Sequence, residues 1–213
     1  MKIKSEEENR KVFETESLAI KNIPVTGQYA EAVDLIYEHV HNRKGKLITS
    51  GLGKAGEIAN SISMLFSSTG TPSVFLHPSE AQHGDLGVVQ EDDVMLVVSN
   101  SGETREVIEL LDLTERMFHD LPVILICGNE NSRLWKRSAI CIFTGRPEEV
   151  CPLGLAPTTS TTVMAAIGDA LVVLMMKKTG FTKEEYAKRH HGGYIGYKLR
   201  NGETNTDSRT MRG

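Results

Sequence analysis

No stretch of this sequence supplies a metal knuckle, a disulfide frame or a basic surface. Cysteine occurs three times in 213 residues, at Cys127, Cys141 and Cys151, an odd number without CxxC spacing, which argues against both a disulfide network and a zinc site. Cys127 and Cys141 lie in apolar strand candidates and read as inert core thiols. Basic charge is not in excess: 24 Lys and Arg stand against 28 Asp and Glu, a formal net charge of -4. Nothing in that balance holds a polyphosphate backbone, so nucleic acid is not an expected partner. The opening Met1-Lys-Ile-Lys-Ser-Glu-Glu-Glu has no apolar signal core. The longest apolar helix candidate is interrupted by Asp169 and reads as too short to span a bilayer. These absences predict a cytoplasmic protein with no membrane partner.

What is present is an alternation of apolar strands and helical periodicity. Residues 5–20 are charged, with Val12, Phe13, Leu18 and Ile20 sparse among them, and Pro24 opens a second run in which Ala32, Val33, Leu35, Ile36 and Val40 keep helical spacing. Residues 1–44 are therefore expected to form an N-terminal helical arm. Strands are predicted at 46–50, 73–76, 94–98, 122–127 and 139–143, and helices at 57–67, 104–117 and 132–137. Pro78 to Gly87 reads as a polar loop. Pro157 is expected to start a long helix through Met176, apolar nearly all round and therefore buried. A last helix, 182–189, leads to His190-His-Gly-Gly193, and 201–213 reads as a polar, disordered tail. The pattern predicts one α/β domain, a three-layer α-β-α sandwich around a central, mainly parallel five-stranded sheet. In such folds ligands bind at the C-terminal strand ends where the strand order reverses.

Two turns belong at that edge. Val94-Met-Leu-Val-Val98 empties into Ser99-Asn-Ser-Gly-Glu-Thr104, three hydroxyls, an amide and a glycine ahead of a helix. Free N–H groups at a helix start attract an anion, and Ser99, Ser101 and Thr104 add hydroxyl donors. Taken alone, the turn fits an anion cradle and a simple cap, with Ser101 as N-cap and Thr104 at N3, equally well. Gly51-Leu-Gly-Lys-Ala-Gly56 matches the dinucleotide fingerprint in letter and placement, yet the acid that should close the next strand is replaced by His77-Pro78. Lys54 inside that turn favours a compact anion instead.

Taken in order, these turns, Thr69-Gly-Thr-Pro72, His77-Pro-Ser-Glu-Ala-Gln-His-Gly-Asp-Leu-Gly87, Cys151-Pro-Leu-Gly-Leu-Ala-Pro157 and His190-His-Gly-Gly193 resemble the sugar isomerase (SIS) domain of D-arabinose 5-phosphate isomerases over about residues 45–200. The resemblance implies a flavodoxin-like SIS fold that interconverts D-ribulose 5-phosphate and D-arabinose 5-phosphate without a cofactor. It implies a homotetramer with active sites at subunit interfaces, at the head of 3-deoxy-D-manno-octulosonate (Kdo) synthesis for lipopolysaccharide or capsule. The tandem CBS pair carried by many members is not expected here, so any feedback is expected as competitive inhibition by a late Kdo metabolite. His191 stands where the family usually has proline.

Aldose–ketose isomerisation through a cis-enediol needs a base of raised pKa, a donor to the enediolate and a phosphate anchor. The resemblance assigns Lys54, Glu103, Glu149 and His190 to catalysis, with His190 reaching a neighbouring subunit's site and His191 beside it. Substrate contacts are expected from Ser50, Gly51, Gly53, His83, Ser99, Asn100, Ser101 and Thr104. Repulsion from the phosphate predicts that the Glu103 carboxylate faces Lys54 or the sugar hydroxyls. Partial desolvation of Glu149 suits it to shuttle the proton. His77, His83 and Asp85 match no zinc-protease spacing, so sugar contacts are expected of them and no metal. The hydroxyls of Thr158-Thr-Ser-Thr-Thr162 are expected to divide between the helix backbone and the sugar, with Ser160 unassigned. Two alternatives stand beside this reading: a sugar-phosphate-sensing SIS module without catalysis, and an isomerase of another phosphosugar.

Overall fold

Five strands, every neighbouring pair parallel, form one sheet in the order β2-β1-β3-β4-β5. In the computed structural model, which describes residues 5–192, these are β1 (Leu47–Ser50), β2 (Ser73–Phe75), β3 (Val94–Ser99), β4 (Val123–Cys127) and β5 (Ile140–Phe143). The helices are α1 (Ser5–Lys21), α2 (Gln28–Ile36), α3 (Gly53–Ser68), α4 (Pro78–Ala81), α5 (Arg105–Met117), α6 (Arg133–Arg137), α7 (Thr159–Thr179) and α8 (Lys183–Arg189). The expected tail at 201–213 lies outside the described residues, as does Gly193.

Alternation along the central strands explains the three layers. Successive side chains leave opposite faces of a strand, and in β3 Leu96 and Val98 enter one core while Met95 and Val97 enter the other. The first core is closed by α2, α3 and α7, and the second by α4, α5 and α6. All six residues of β3 are buried, which is why its sequence reads as an unbroken apolar run, as strands of a covered parallel sheet do. The residues expected to form an arm divide: α1 has no buried residue, whereas Tyr29, Ala32, Val33 and Ile36 of α2 sit in the first core.

Several boundaries differ from expectation. The second helix starts at Gln28 rather than Pro24 and winds on through a wider turn, Tyr37–Asn42. The stretch read as a polar loop holds α4 and a 3-10 turn, Asp85–Val88, because Pro78 starts a helical turn and Ala81 and Leu86 are buried against the second core. Helix α7 begins two residues after Pro157 and runs to a left-handed Gly180. Its 21 residues are long and apolar enough to cross a membrane, contrary to the expectation from Asp169. Half of its most apolar window is nonetheless buried in the fold, where it packs on α3, and Asp169 faces outward.

The strand order reverses between β1 and β3. Chain connections run outward from this pair in opposite directions, so the loops leaving Ser50 and Ser99 part and open a crevice at the C-terminal edge.

Candidate active site

At that crevice lies a cleft of about 460 Å³, lined by Leu52, Lys54 and Ala55 from the β1 end, Ser99, Asn100, Ser101 and Thr104 from β3, Gly128 and Asn129 from β4, Arg146 from β5, and Pro157, Ser160, Thr161 and Met164 at the start of α7. A larger hollow, about 680 Å³, is lined by α1 alone and gathers nothing from the sheet. Three helices, α3, α5 and α7, begin at the smaller cleft, so the positive ends of three peptide dipoles meet there. Its charged lining is Lys54 and Arg146, with no carboxylate. The site is built for an anion.

The turn 99–104 owes its shape to Gly102, whose φ of 64° is left-handed and whose place a β-carbon would fill 2.0 Å from the Ser132 Oγ. Ser99 Oγ accepts the Gly102 N–H at 3.2 Å and lies 3.3 Å from the Thr104 hydroxyl. Ser101 Oγ accepts the Glu103 N–H at 3.2 Å, while Asn129 Nδ2 donates to the Ser101 carbonyl at 3.0 Å. The helix N-cap is Thr104, without a side-chain cap bond, so the alternative with Ser101 as N-cap does not hold. The hydroxyls brace the turn among themselves and stay at the cleft wall.

Lys54 occupies the first turn of α3 rather than a preceding loop, because the helix starts at Gly53. Gly51 permits the close return of that helix, its β-carbon position lying 2.8 Å from the Val98 carbonyl, and Gly53 has a φ of 60°. Both glycines shape the turn while Leu52, Lys54 and Ala55 face the cleft. Ser50 is buried and donates to the Leu76 carbonyl at 2.7 Å, tying β1 to the end of β2 instead of lining the cleft.

The two glutamates behave differently. Glu103 turns neither to Lys54 nor into the cleft: Arg133 holds it, with Nε 2.6 Å from Oε2 and the backbone N–H 2.8 Å from Oε1. That grip, side chain first and backbone second, holds its carboxyl below the usual range. The expected orientation is thus corrected. A guanidinium from the first residue of α6 outcompetes a lysine across the cleft. Glu149 sits beside the lining at the head of α7, where Oε2 accepts the Thr158 N–H at 2.7 Å, the Thr158 hydroxyl at 3.1 Å and the Ser160 N–H at 3.3 Å. Burial pushes its pKa up, but the hydrogen bonds from Ser160 and Thr158 outweigh it and the net direction is down. A raised pKa, which the chemistry led us to expect, is absent from this state. Within 158–162, Thr161 and Thr162 return their hydroxyls to helix carbonyls and Thr159 accepts the Val150 N–H, leaving Ser160 and Thr161 on the cleft wall.

The histidines lie apart from this cleft. His190 ends α8, its ring stacked on Tyr186 at 3.7 Å and its Nδ1 3.0 Å from the Tyr186 carbonyl. His83 is exposed between α4 and the 3-10 turn. His77 packs edge-on against Phe75, with a buried Nδ1 that has no hydrogen-bond partner. Among the described residues no three His, Cys, Asp or Glu side chains are grouped to hold a metal ion.

Sequence reading missed Arg146, Asn129 and the position of Ser160. Arg146 is the most unexpected: it follows Gly145 (φ 79°) with a φ of 51° of its own, a conformation that costs a non-glycine residue about 1–2 kcal/mol. The pair Gly145-Arg146, one residue after a strand, was its only signal.

Residues 39–174 match the family model described as the SIS domain. The Yersinia pestis protein named arabinose 5-phosphate isomerase KdsD is 42% identical over 189 residues, covering 88% of this chain and 55% of that protein. Among solved structures, a proposed phosphosugar isomerase involved in capsule formation from Bacteroides fragilis superposes with a TM-score of 0.87 at 57% identity, covering 90% of this chain and 98% of that one. The E. coli CFT073 protein c3406, solved in complex with arabinose 5-phosphate, superposes with a TM-score of 0.81 at 31% identity, covering 89% of this chain and 100% of that one. The chain spans about half the length of the curated relatives it matches.

Proposed function

We propose, starting from the fact that this chain belongs to the SIS-domain family of D-arabinose 5-phosphate isomerases, that it interconverts D-ribulose 5-phosphate and D-arabinose 5-phosphate. The observation that carries this reading is the cleft itself: three helix N-termini, a hydroxyl turn and two cations, with no acid in the lining. Such a site favours a dianionic phosphate and leaves a sugar chain beside it.

In this reading the phosphate is cradled by Ser99, Ser101 and Thr104. The reacting carbons then lie towards α3 and α7, which pack side by side and bring Lys54 and Glu149 to the same flank. Glu149 is a carboxylate at neutral pH, since its pKa is held down. It takes the proton from C1 or C2 and returns it to the other carbon, through a cis-enediol. Lys54 stabilises the oxyanion that develops as the proton leaves. A sugar covering Glu149 would strip water from it and raise its basicity. Glu103 contributes from behind, through its ion pair with Arg133, by fixing the turn. His190 acts in the cleft of an adjacent subunit of a homotetramer, polarising a substrate oxygen or carrying a proton. The product feeds Kdo synthesis for lipopolysaccharide or capsule in the cytoplasm, and a late metabolite of that route competes at the same cleft.

The test is an assay of the purified chain with ribulose 5-phosphate, following arabinose 5-phosphate beside a known isomerase. Formation of the aldose, abolished in Lys54→Ala, supports the proposal. No aldose from a folded protein while the control turns over would refute it.

A further inference from the structure

We propose that Arg146 is the residue that reads the phosphate, its guanidinium closing the anion subsite over the turn 99–104 and selecting phosphorylated sugars over free ones. The inference rests on the sugar-phosphate reading above and adds to it a specificity determinant outside the hydroxyl turn.

Three observations carry it. First, Arg146 lines the same cleft as Ser99, Ser101 and Thr104, and no described carboxylate lies within ion-pair distance of it. Arg105, Arg133 and Arg137 are all neutralised by acids. Glu149, three residues on, has turned to the backbone N–H groups of Thr158 and Ser160 at the head of α7. An unneutralised guanidinium in a cleft without acids is a site for an external anion, and its planar fork matches two phosphate oxygens at once.

Second, the backbone is committed to this placement. Gly145 and Arg146 are successive left-handed residues, with φ of 79° and 51°. Glycine adopts that conformation freely and arginine does so rarely. Backbone in sparsely populated regions concentrates at ligand clamps, where the surroundings hold it in place. Here the Arg146 N–H donates to the Thr144 Oγ1 at 3.3 Å, and the Thr144 N–H donates to the Cys127 carbonyl at 3.0 Å.

Third, the strand order separates the two cations. The Gly128 N–H bonds the Asn100 carbonyl at 3.1 Å, so the ends of β3, β4 and β5 are laced together on one side of the turn. Lys54 comes from β1 on the other side. Three strand spacings, about 14 Å, divide the parent strands, so the two cations reach the cleft from different parts of the sheet edge. In the proposed reaction Lys54 is assigned to the developing oxyanion, which leaves Arg146 for the phosphate.

The experiment uses the full chain and two variants. Arg146→Asn keeps a residue that tolerates the left-handed backbone while removing the charge, and Arg146→Lys keeps the charge without the fork. Inorganic phosphate is titrated by calorimetry, and KM and kcat are measured with ribulose 5-phosphate. Arg146→Asn is expected to weaken phosphate binding and raise KM by about ten- to a hundredfold, the loss of a charge-assisted hydrogen bond, with kcat within about threefold and the melting temperature not lowered. Arg146→Lys recovers only part of the affinity. Unchanged phosphate affinity in Arg146→Asn overturns the proposal, and so does a fall in kcat at constant KM, which would move Arg146 to the transition state. The titration needs no turnover. If the wild type binds phosphate through Arg146 yet makes no arabinose 5-phosphate, the isomerase reading fails and this one stands.

Discussion

Replacing Glu149 by glutamine separates its two proposed duties. In the structure Oε2 collects three donors at the head of α7, so the residue serves as a remote N-cap as well as a base. Losing a cap costs about 0.5–2 kcal/mol, and losing a negative charge at a helix N-terminus about 0.3–1 kcal/mol. Glutamine keeps an acceptor of the same reach and forfeits mainly the charge, so Glu149→Gln should cost about 1 kcal/mol. Glu149→Ala loses both contributions and should cost about 1–3 kcal/mol. In a chain of this size 1 kcal/mol lowers the melting temperature by about 2–4 °C. Turnover has a different scale, because removing a general base lowers kcat by about 10²–10⁴-fold. The sign of the pH dependence follows from the depressed pKa. The stability that Glu149 adds is present above the unfolded value of about 4.3 and is lost as pH falls through the lower folded one. The stability gap between wild type and Glu149→Gln should therefore be full at pH 7 and vanish in acid. Differential scanning calorimetry from pH 3 to 7, with kcat at pH 7.5, measures both quantities. If Glu149→Gln loses no more activity than its lost stability explains, the residue is a cap alone. If neither variant melts lower than wild type, the capping argument is wrong.

Two further outcomes follow from the geometry. Gly102→Ala forces a β-carbon into the Ser132 side chain at a left-handed φ, and should destabilise the fold by about 2–4 kcal/mol; denaturant melts check the loss, and phosphate titration should show a weakened cradle in whatever folded protein remains. The three thiols should react in a fixed order. Burial pushes Cys141 up to about 11 and raises Cys127 as well. For Cys151 burial also acts upward, but backbone N–H groups of Ala156, Leu155, Leu153 and Gly154 turned to the sulfur bring it below the usual value. Timed iodoacetamide labelling at pH 7.5 with peptide mapping should find Cys151 modified first, and initial labelling at Cys127 or Cys141 would contradict the assignment.

Much of the fold was legible because its signals are local. The run Val94–Val98 reads as a strand covered on both faces, and it is one, with every residue buried. The two polar turns were placed at one edge by the rule for parallel sheets, and the cleft opens there. What escaped depends on distance along the chain. Glu103 was assigned an orientation from the charges nearest in the motif, but its partner Arg133 is thirty residues on and arrives only when β4 pairs with β3. Arg146 carried no motif, and its importance appears once β5 has been laid beside β4. The α4 turn was obscured because His83, Gly84 and Asp85 dilute the two residues, Ala81 and Leu86, that bury it. His190 lies outside the cleft of its own chain.

The walls of the cleft come from five places spread between Leu52 and Met164, and no two neighbouring walls belong to one hairpin or helix. Parallel strands joined by crossovers form slowly, since each long loop must close before its contacts reward it. The anion site therefore has no precursor in a half-built chain: it comes into being with the last strand, β5, which brings Arg146, and with the docking of α7. A phosphosugar bound as proposed would act on the folding equilibrium as a whole, adding about 2.7 kcal/mol when present at a hundred times its Kd. Chains occupied by such a ligand would be withheld from unfolding and from proteases, so abundance of the protein would track supply of its ligand.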